Sequence, residues 1–180
     1  MALARRGFLG ALAGLAATAA SSGTAVAQPA PDPVAALWMG MELQGQDGRS
    51  FNVRDLRAPV TLLHLWANWC PACLGEMGSL ATAAAAMGDK VDVVFVSHPQ
   101  FWHADQAFAG RRNLPFRLAT PTTANGQPVL DAALLENGAY AVPRTVLLRA
   151  DGRNAAWSHL GAVSWSSPGA VARLRTVAAS

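Results

Sequence analysis

Cys70 and Cys73 are the only cysteines of the chain, and both lie in the stretch WANWCPAC, residues 66–73. Two cysteines separated by two residues can form a structural disulfide, supply half of a metal site or act as a redox couple. A disulfide between such close neighbours closes a very short loop, so it constrains the unfolded chain little. The spacing therefore favours chemistry over a structural role.

The segments on either side of the pair predict how it is positioned. The stretch VTLLHLW, residues 60–66, is almost entirely apolar, which indicates a strand buried on both faces. Residues 71–87 predict a helix with one buried face, because apolar side chains recur at three- and four-residue spacings: Met77, Leu80, Ala84 and Met87. A second apolar strand at 91–97 completes a right-handed crossover between parallel strands.

This placement gives the two sulfurs different roles. Cys70 follows the first strand and precedes the helix, where unpaired N–H groups and the positive end of the helix dipole stabilise a thiolate. We therefore expect the pKa of Cys70 to lie below the ~8.5 of a free cysteine, which makes it the attacking thiol. Cys73 lies one helical turn further in, shielded from large partners and close enough to resolve a mixed disulfide on Cys70.

The rest of the chain predicts one α/β domain with a central mixed β-sheet flanked by helices. A β-hairpin is expected over residues 41–53 around Asp47-Gly48, and a second over 144–161 around Asp151-Gly152. Further helices are expected over 103–112, 128–135 and 167–177, with a short extended segment at 116–119. Ser166 or Ser167 can cap the last helix, and Pro168 suits its first position.

The amino terminus has the order of a secretory signal. Arg5-Arg6 precedes an apolar run over 8–20, and small residues end at Ala27. The pattern RRGFLG resembles a twin-arginine export signal. An uncleaved membrane anchor is the alternative, disfavoured because the apolar run is short for a span of roughly 20 residues. We expect cleavage near Ala27, a leader over 28–37, a single domain over 38–180 and a periplasmic or other exported location, where disulfides persist.

The charge of the chain does not indicate a nucleic-acid partner. Fourteen Lys and Arg residues face 11 Asp and Glu residues, for a formal net charge of +3. Arg5 and Arg6 leave with the predicted signal, so the mature chain is close to neutral. A chain without a marked excess of one sign has no electrostatic preference for nucleic acid or an anionic surface.

Several stretches together resemble the exported thioredoxins of the TlpA type: WANWCPAC followed by Glu76-Met77, then AVPRTVLLRADGR and GAVSWSSPGAVARL. The resemblance extends over most of residues 38–180 and implies a thioredoxin-like fold with an N-terminal β-hairpin. It also implies a reductase of disulfides in exported proteins, such as apocytochrome c or copper-site proteins, recharged by a membrane thiol-electron donor. No metal or other cofactor is expected.

The resemblance assigns a substrate-binding role to the segment AVPRTVLL. It implies a cis peptide bond before Pro143, which would leave the backbone of Val142 free to pair with an extended substrate beside Cys70. An ordinary proline at the start of a strand is the alternative.

Two polar residues are candidates for proton handling. His64 lies six positions before Cys70, where thioredoxin-like chains often have Asp or Asn. Its imidazole can take up and release protons near neutral pH, or it can be a hydrogen-bonded core residue. Glu76 can tune the site or lie on a solvated helix face.

The segment SHPQFWH, residues 97–103, follows the second strand and should lie at the same sheet edge as the cysteines. Trp102 and Phe101 are predicted to contact substrate, with Trp69 on the opposite side; the alternative is that they only cover the core.

His98 and His103 raise a second function, a copper-binding chaperone-like module in which one of them joins Cys70 and Cys73 on Cu(I). Copper-carrying relatives usually space their cysteines by three residues, so disulfide exchange is the preferred interpretation. A peroxidase is disfavoured because no separate peroxide-attacking cysteine remains.

Overall fold

The computed structural model describes residues 38–122, 130–131, 135–136, 139–150 and 155–179. The strands are β1 Glu42–Gly45, β2 Ser50–Asn52, β3 Val60–Trp66, β4 Val91–Ser97, β5 Arg117–Pro121, β6 Leu135–Glu136, β7 Ala139–Tyr140, β8 Arg144–Arg149 and β9 Ala155–Leu160. The helices are α1 Pro71–Met87, α2 Trp102–Arg112 and α3 Pro168–Ala178.

The sheet is mixed, as the sequence predicts. Seven strands lie in the order β2-β1-β5-β4-β3-β8-β9, while β6 and β7 form a separate pair. The middle strand β3 pairs in parallel with β4 and antiparallel with β8. At the far side β1 pairs antiparallel with β2 and with β5. The parallel β3–β4 pair brings the carboxyl ends of both strands to one edge of the sheet.

Strand β3 separates two hydrophobic cores. All seven of its residues are buried, because side chains alternate between the two faces of the sheet and both faces are covered. Leu62 and Trp66 lie in the core that also contains both cysteines and residues of α1, α2 and α3. Leu63 and Leu65 lie in the other core, with Trp38 and Met41. His64 alternates with Leu62 and Trp66, so it lies on the cysteine side.

Helix α1 begins with Pro71 and has Cys70 as its N-cap residue. Its buried face is formed by Cys73, Glu76, Met77, Leu80, Ala83 and Met87. The predicted face is therefore nearly right: Ala84 is only partly buried, and Ala83 takes the fully buried position. Gly88, with φ of 59°, ends the helix in a backbone conformation that favours glycine.

The last helix starts as the sequence predicts. Ser167 is the N-cap residue of α3, and its hydroxyl accepts a hydrogen bond from the N–H of Ala170 at 3.3 Å. Pro168 occupies the first helical position, where its missing N–H costs nothing. Of the two serines that suit the cap, the structure selects Ser167.

Some predictions fall outside the described residues. These are the export signal over 1–27, the leader over 28–37, most of the helix over 128–135 and the turn at Asp151-Gly152. Leu135, predicted to end a helix, lies in β6 instead. Within the part of the chain that the structure describes, no helix is long and apolar enough to cross a membrane.

Candidate active site

Cys70 and Cys73 form a disulfide at the amino end of α1, with Cα atoms 5.3 Å apart. The Sγ of Cys70 accepts a hydrogen bond from the backbone N–H of Cys73 at 3.1 Å. In the reduced protein the thiolate of Cys70 would replace this disulfide sulfur, so the same N–H would stabilise its charge. Cys70 is 4% exposed and Cys73 is 0% exposed, so Cys70 is the residue of the pair that reaches the surface.

The loop before β8 lies against the same sulfur. The Val142–Pro143 peptide bond is cis, as the resemblance implies. The carbonyl oxygen of Val142 lies 3.6 Å from the Sγ of Cys70. The structure thus places Val142 and Pro143 beside the disulfide, although they are more than 70 positions away in the chain.

Glu76 and His64 lie together in the interior, on the same side of the sheet as the cysteines. Glu76 is on the same face of α1 as Cys73, and its Oε1 lies 3.4 Å from Nε2 of His64. The other carboxylate oxygen, Oε2, accepts a hydrogen bond from the N–H of Val163 at 2.7 Å. Glu76 is only 4% exposed. The alternative of a solvated helix face is therefore wrong, because one helical turn after Cys73 the helix still faces the core.

His64 is held on its other side by its cross-strand neighbour. Its Nδ1 lies 3.2 Å from Oγ1 of Thr145, which is opposite His64 in the β3–β8 register. Burial lowers the pKa of His64 from 6.5 to about 3, so the imidazole is neutral at pH 7. Burial raises the pKa of Glu76, and the hydrogen bond from Val163 opposes that rise. A neutral imidazole facing such a carboxyl can share one proton with it, between Nε2 and Oε1.

The aromatic residues near the disulfide are arranged differently from the prediction. Trp69 is 50% exposed, and its ring contacts that of Phe101 edge-on, with centroids 5.6 Å apart. The expectation that Trp69 lies opposite Phe101 is therefore wrong, because β3 and β4 end at the same edge and bring their following loops together. Trp102 is partly buried and packs on the core that contains the cysteines.

His98 and His103 do not join the cysteines. His98 is 3% exposed, and its Nδ1 accepts a hydrogen bond from the N–H of Gln100. Its Nε2 lies 3.2 Å from Oδ1 of Asp131 and 3.0 Å from the hydroxyl of Tyr140. Both ring nitrogens of His98 are thus used within the protein, and His103 is exposed. Among the described residues, no group of three or more His, Cys, Asp or Glu side chains is placed to hold a metal ion.

Asp105 is a site residue that the sequence did not indicate. It is fully buried, and its Oδ1 accepts a hydrogen bond from the backbone N–H of Asn68 at 2.7 Å. Its Oδ2 accepts a hydrogen bond from the hydroxyl of Ser97. An aspartate in a polar helix is usually solvated. The one sequence feature that could have revealed its burial is its four-residue spacing from Ala109, which is also buried.

A model of the Redoxin family matches residues 25–174, most of the chain. The chain belongs to the Redoxin family. No curated protein sequence matches it. This membership agrees with the resemblance to the exported thioredoxins of the TlpA type.

Similar solved structures have the same fold. DsbF of Mycobacterium tuberculosis is 19% identical, with a TM-score of 0.58, and the match covers 78% of this chain and 97% of that one. A secreted disulfide oxidoreductase of the same organism, homologous to DsbE of E. coli, is 24% identical, with a TM-score of 0.56 and coverage of 77% and 96%. A thiol:disulfide interchange protein from Chlorobium tepidum is 13% identical, with a TM-score of 0.60 and coverage of 84% and 98%.

Family, fold and cysteine pair together define the activity. This member of the Redoxin family is a thiol-disulfide oxidoreductase with a thioredoxin-like fold, and its CxxC pair is Cys70 and Cys73.

Proposed function

We propose that this oxidoreductase is an exported reductase of protein disulfides, in which Cys70 attacks and Cys73 resolves. The observation that carries the assignment is the hydrogen bond from the Cys73 N–H to the Sγ of Cys70, at the N-cap of α1. A sulfur in this position is stabilised as a thiolate by the N–H group and by the helix dipole. Cys73 is 0% exposed, which supports Cys70 as the first of the two to meet a protein substrate.

The reaction proceeds by two exchanges. The Cys70 thiolate attacks one sulfur of the substrate disulfide, and the other substrate sulfur leaves as a thiolate. Cys73 then loses its proton and attacks the Sγ of Cys70, which releases the first substrate sulfur as a second thiolate. The substrate gains two electrons, and the protein is left with the Cys70–Cys73 disulfide that the structure contains.

The substrate segment would lie over Val142 and Pro143, with Trp69 and Trp102 as side-chain contacts. Support for this comes from the carbonyl oxygen of Val142, which lies 3.6 Å from the attacking sulfur. A substrate backbone that pairs there as an added strand would bring its own disulfide next to Cys70. Trp69, half exposed beside Cys70, offers a large apolar contact to such a segment.

Glu76 and His64 would handle the proton of Cys73. Deprotonation is required before Cys73 can attack, and water has little access to a fully buried thiol. Glu76 lies one turn after Cys73 on the same helix face, with His64 at 3.4 Å. Because burial raises the pKa of Glu76, its carboxyl can accept and return a proton closer to neutral pH than a solvated glutamate can.

The proposed location is the periplasm or another exported compartment, reached after signal cleavage near Ala27. There a membrane thiol-electron donor would reduce the Cys70–Cys73 disulfide after each turnover. The signal-like order of residues 1–27 in the sequence and the resemblance to TlpA-type proteins support this part of the proposal. Disulfides form and persist in such compartments, so a reductase there would meet oxidised substrates and would need a source of electrons.

The direction of the reaction is tested by the reduction potential of the pair, measured by equilibration with glutathione. A reduction potential of about −270 mV, as in thioredoxin, supports a reductase. A potential of about −120 mV indicates an oxidase. In a turnover assay, the protein should reduce a model protein disulfide when supplied with a thiol donor. Cys70→Ser should abolish the activity, and Cys73→Ser should trap a mixed disulfide. A pair that stays oxidised in excess reductant would contradict the proposal.

A further inference from the structure

We propose that Asp105 is a positioning residue for thiol–disulfide exchange, which holds the loop between β3 and α1 so that Cys70 stays at the N-cap of α1. The inference rests on the proposed function of the cysteine pair and deepens it. Asp105 touches neither sulfur. It acts through the backbone of Asn68, two residues before Cys70.

The contacts of Asp105 connect three elements at the edge of the sheet. The residue lies in the first turn of α2, and its side chain is fully buried. Its Oδ1 accepts a hydrogen bond from the N–H of Asn68 at 2.7 Å, and its Oδ2 accepts one from the hydroxyl of Ser97 at the end of β4. The loop before the disulfide is thus fastened to both the end of β4 and the start of α2.

The loop before Cys70 is short. It comprises Ala67, which is buried, Asn68, which is partly buried, and Trp69, which is half exposed. Within it, the N–H of Cys70 donates to the carbonyl of Ala67 at 3.1 Å, which closes a tight turn. Asn68 lies inside this turn. A movement of the Asn68 backbone is therefore transmitted to Cys70 over one intervening residue.

The chemistry of the contact indicates that the acceptor atom matters more than the charge. An asparagine at position 105 can accept the Asn68 N–H with its Oδ1 and donate its amide to the Oγ of Ser97. The hydroxyl of Ser97 can then turn to the carbonyl oxygen of His98, which already lies 3.4 Å away. An alanine at position 105 instead leaves the Asn68 N–H without its partner.

Loss of the hydrogen bond between Asp105 and Asn68 should destabilise the Cys70 thiolate. If Cys70 moves from the N-cap, the N–H of Cys73 no longer points at its sulfur, and the thiolate loses that stabilisation. The pKa of the Cys70 thiol then rises. Misplacement of a reacting group by about 1 Å costs roughly 10²-fold in rate, so a partial displacement should have a clear effect.

The test compares Asp105→Ala with Asp105→Asn and with a matched control, Asp92→Ala. Asp92 also accepts a backbone N–H, that of Ala58 at 3.2 Å, but it lies on β4 at the end far from the disulfide. The reduced protein is alkylated over a range of pH, and the inflection reports the ionisation of the Cys70 thiol. Reduction of a model protein disulfide gives the exchange rate.

We expect Asp105→Ala to lower the exchange rate by roughly ten- to hundred-fold and to move the alkylation inflection to higher pH. Asp105→Asn should recover most of the rate and the inflection, and Asp92→Ala should leave both unchanged. If Asp105→Ala behaves like Asp92→Ala, Asp105 is only structural and the inference is wrong. If Asp105→Asn is as slow as Asp105→Ala, the charge matters and the positioning role is overturned.

Ser97→Ala provides a second variant should Asp105→Ala fail to fold. It keeps Asp105 but removes the partner that orients its carboxylate, so we expect a smaller shift of the inflection in the same direction. A folded Ser97→Ala protein with no shift would count against the inference. The alkylation profile needs only a reduced Cys70. A wild type that alkylates normally but reduces no protein disulfide would therefore overturn the proposed function and leave the test of Asp105 intact.

Discussion

At the scale of single residues, the pair of Glu76 and His64 has an unusual hydrogen-bond balance. Nε2 of His64 and Oε1 of Glu76 are both buried and lie 3.4 Å apart, and neither makes a hydrogen bond of ideal geometry, although the indole of Trp165 also interacts with the Glu76 carboxyl. Such atoms are costly unless a proton connects them. One proton on either atom would link the two, which agrees with the proposal that the pair handles the proton of Cys73.

Glu76→Gln tests this role. The amide still accepts the N–H of Val163, but it cannot take a proton from Cys73. We expect the second exchange, attack by Cys73, to slow by about 10²-fold, while attack by Cys70 changes little. Stopped-flow measurement with a disulfide substrate separates the steps, because the mixed disulfide should accumulate. If both steps slow equally, Glu76 has only a structural role.

The buried imidazole of His64 predicts a specific acid sensitivity. In the unfolded chain His64 binds a proton below pH 6.5, whereas in the folded protein it does so only below about 3. Between these values the unfolded state holds more protons, so His64 makes stability fall as the pH falls from 6.5 to 3. Glu76 acts in the opposite sense. Because its pKa is raised in the folded protein, its contribution to the free energy of unfolding falls as the pH rises above 4.5.

His64→Leu should therefore flatten the loss of stability in acid. We expect the free energy of unfolding to change less steeply with pH between 6.5 and 3, by up to about 1.4 kcal/mol per pH unit. Urea unfolding at a series of pH values measures this slope. His103→Leu, at an exposed histidine, serves as the control for loss of an imidazole. Parallel curves for wild type and His64→Leu would rule out the buried histidine as the cause.

At the scale of elements, the crossover that carries the site is predictable from the sequence. The bounds of β3, α1 and β4 agree with the predicted 60–66, 71–87 and 91–97, because long apolar runs and three- to four-residue spacing are strong local patterns. The burial of Glu76 and Asp105 was not predicted. Polar side chains are buried there by partners distant in the chain, Val163 and Asn68, which no local pattern shows.

The cap of α3 gives a test confined to one element. Ser167 accepts the N–H of Ala170, whereas its neighbour Ser166 is exposed. Ser167→Ala should lower the free energy of unfolding by about 1 kcal/mol, and Ser166→Ala should change it little. Urea denaturation compares the two variants. Equal effects would mean that the hydroxyl of Ser167 does not stabilise the helix.

At the scale of the whole molecule, one strand supports both hydrophobic cores. Leu62 and Leu63 are adjacent on β3, are both 0% exposed and face opposite cores. Since both cores are built on the same sheet, we expect the described domain to unfold as one cooperative unit.

Leu62→Ala and Leu63→Ala form a matched pair for this expectation. Each should destabilise the protein by roughly 2–5 kcal/mol through lost burial and the cavity left behind. Each variant should also unfold in a single transition, with the same lowered midpoint by fluorescence and by circular dichroism. A second transition, seen in one variant and absent from the other, would show that the two cores unfold separately.

The hydrogen bond from Val163 to Glu76 also has a consequence for the order in which the site is made. A ribosome delivers the two cysteines early, whereas Val142, Thr145 and Val163 follow 72, 81 and 87 positions after the residues they contact. A nascent or truncated chain therefore carries both thiols without the carbonyl that contacts Cys70, the hydroxyl that contacts His64 and the amide that contacts Glu76. The cysteine pair obtains its complete surroundings only when nearly the whole described domain has been synthesised and folded, so newly made chains carry both thiols before the site that positions them exists.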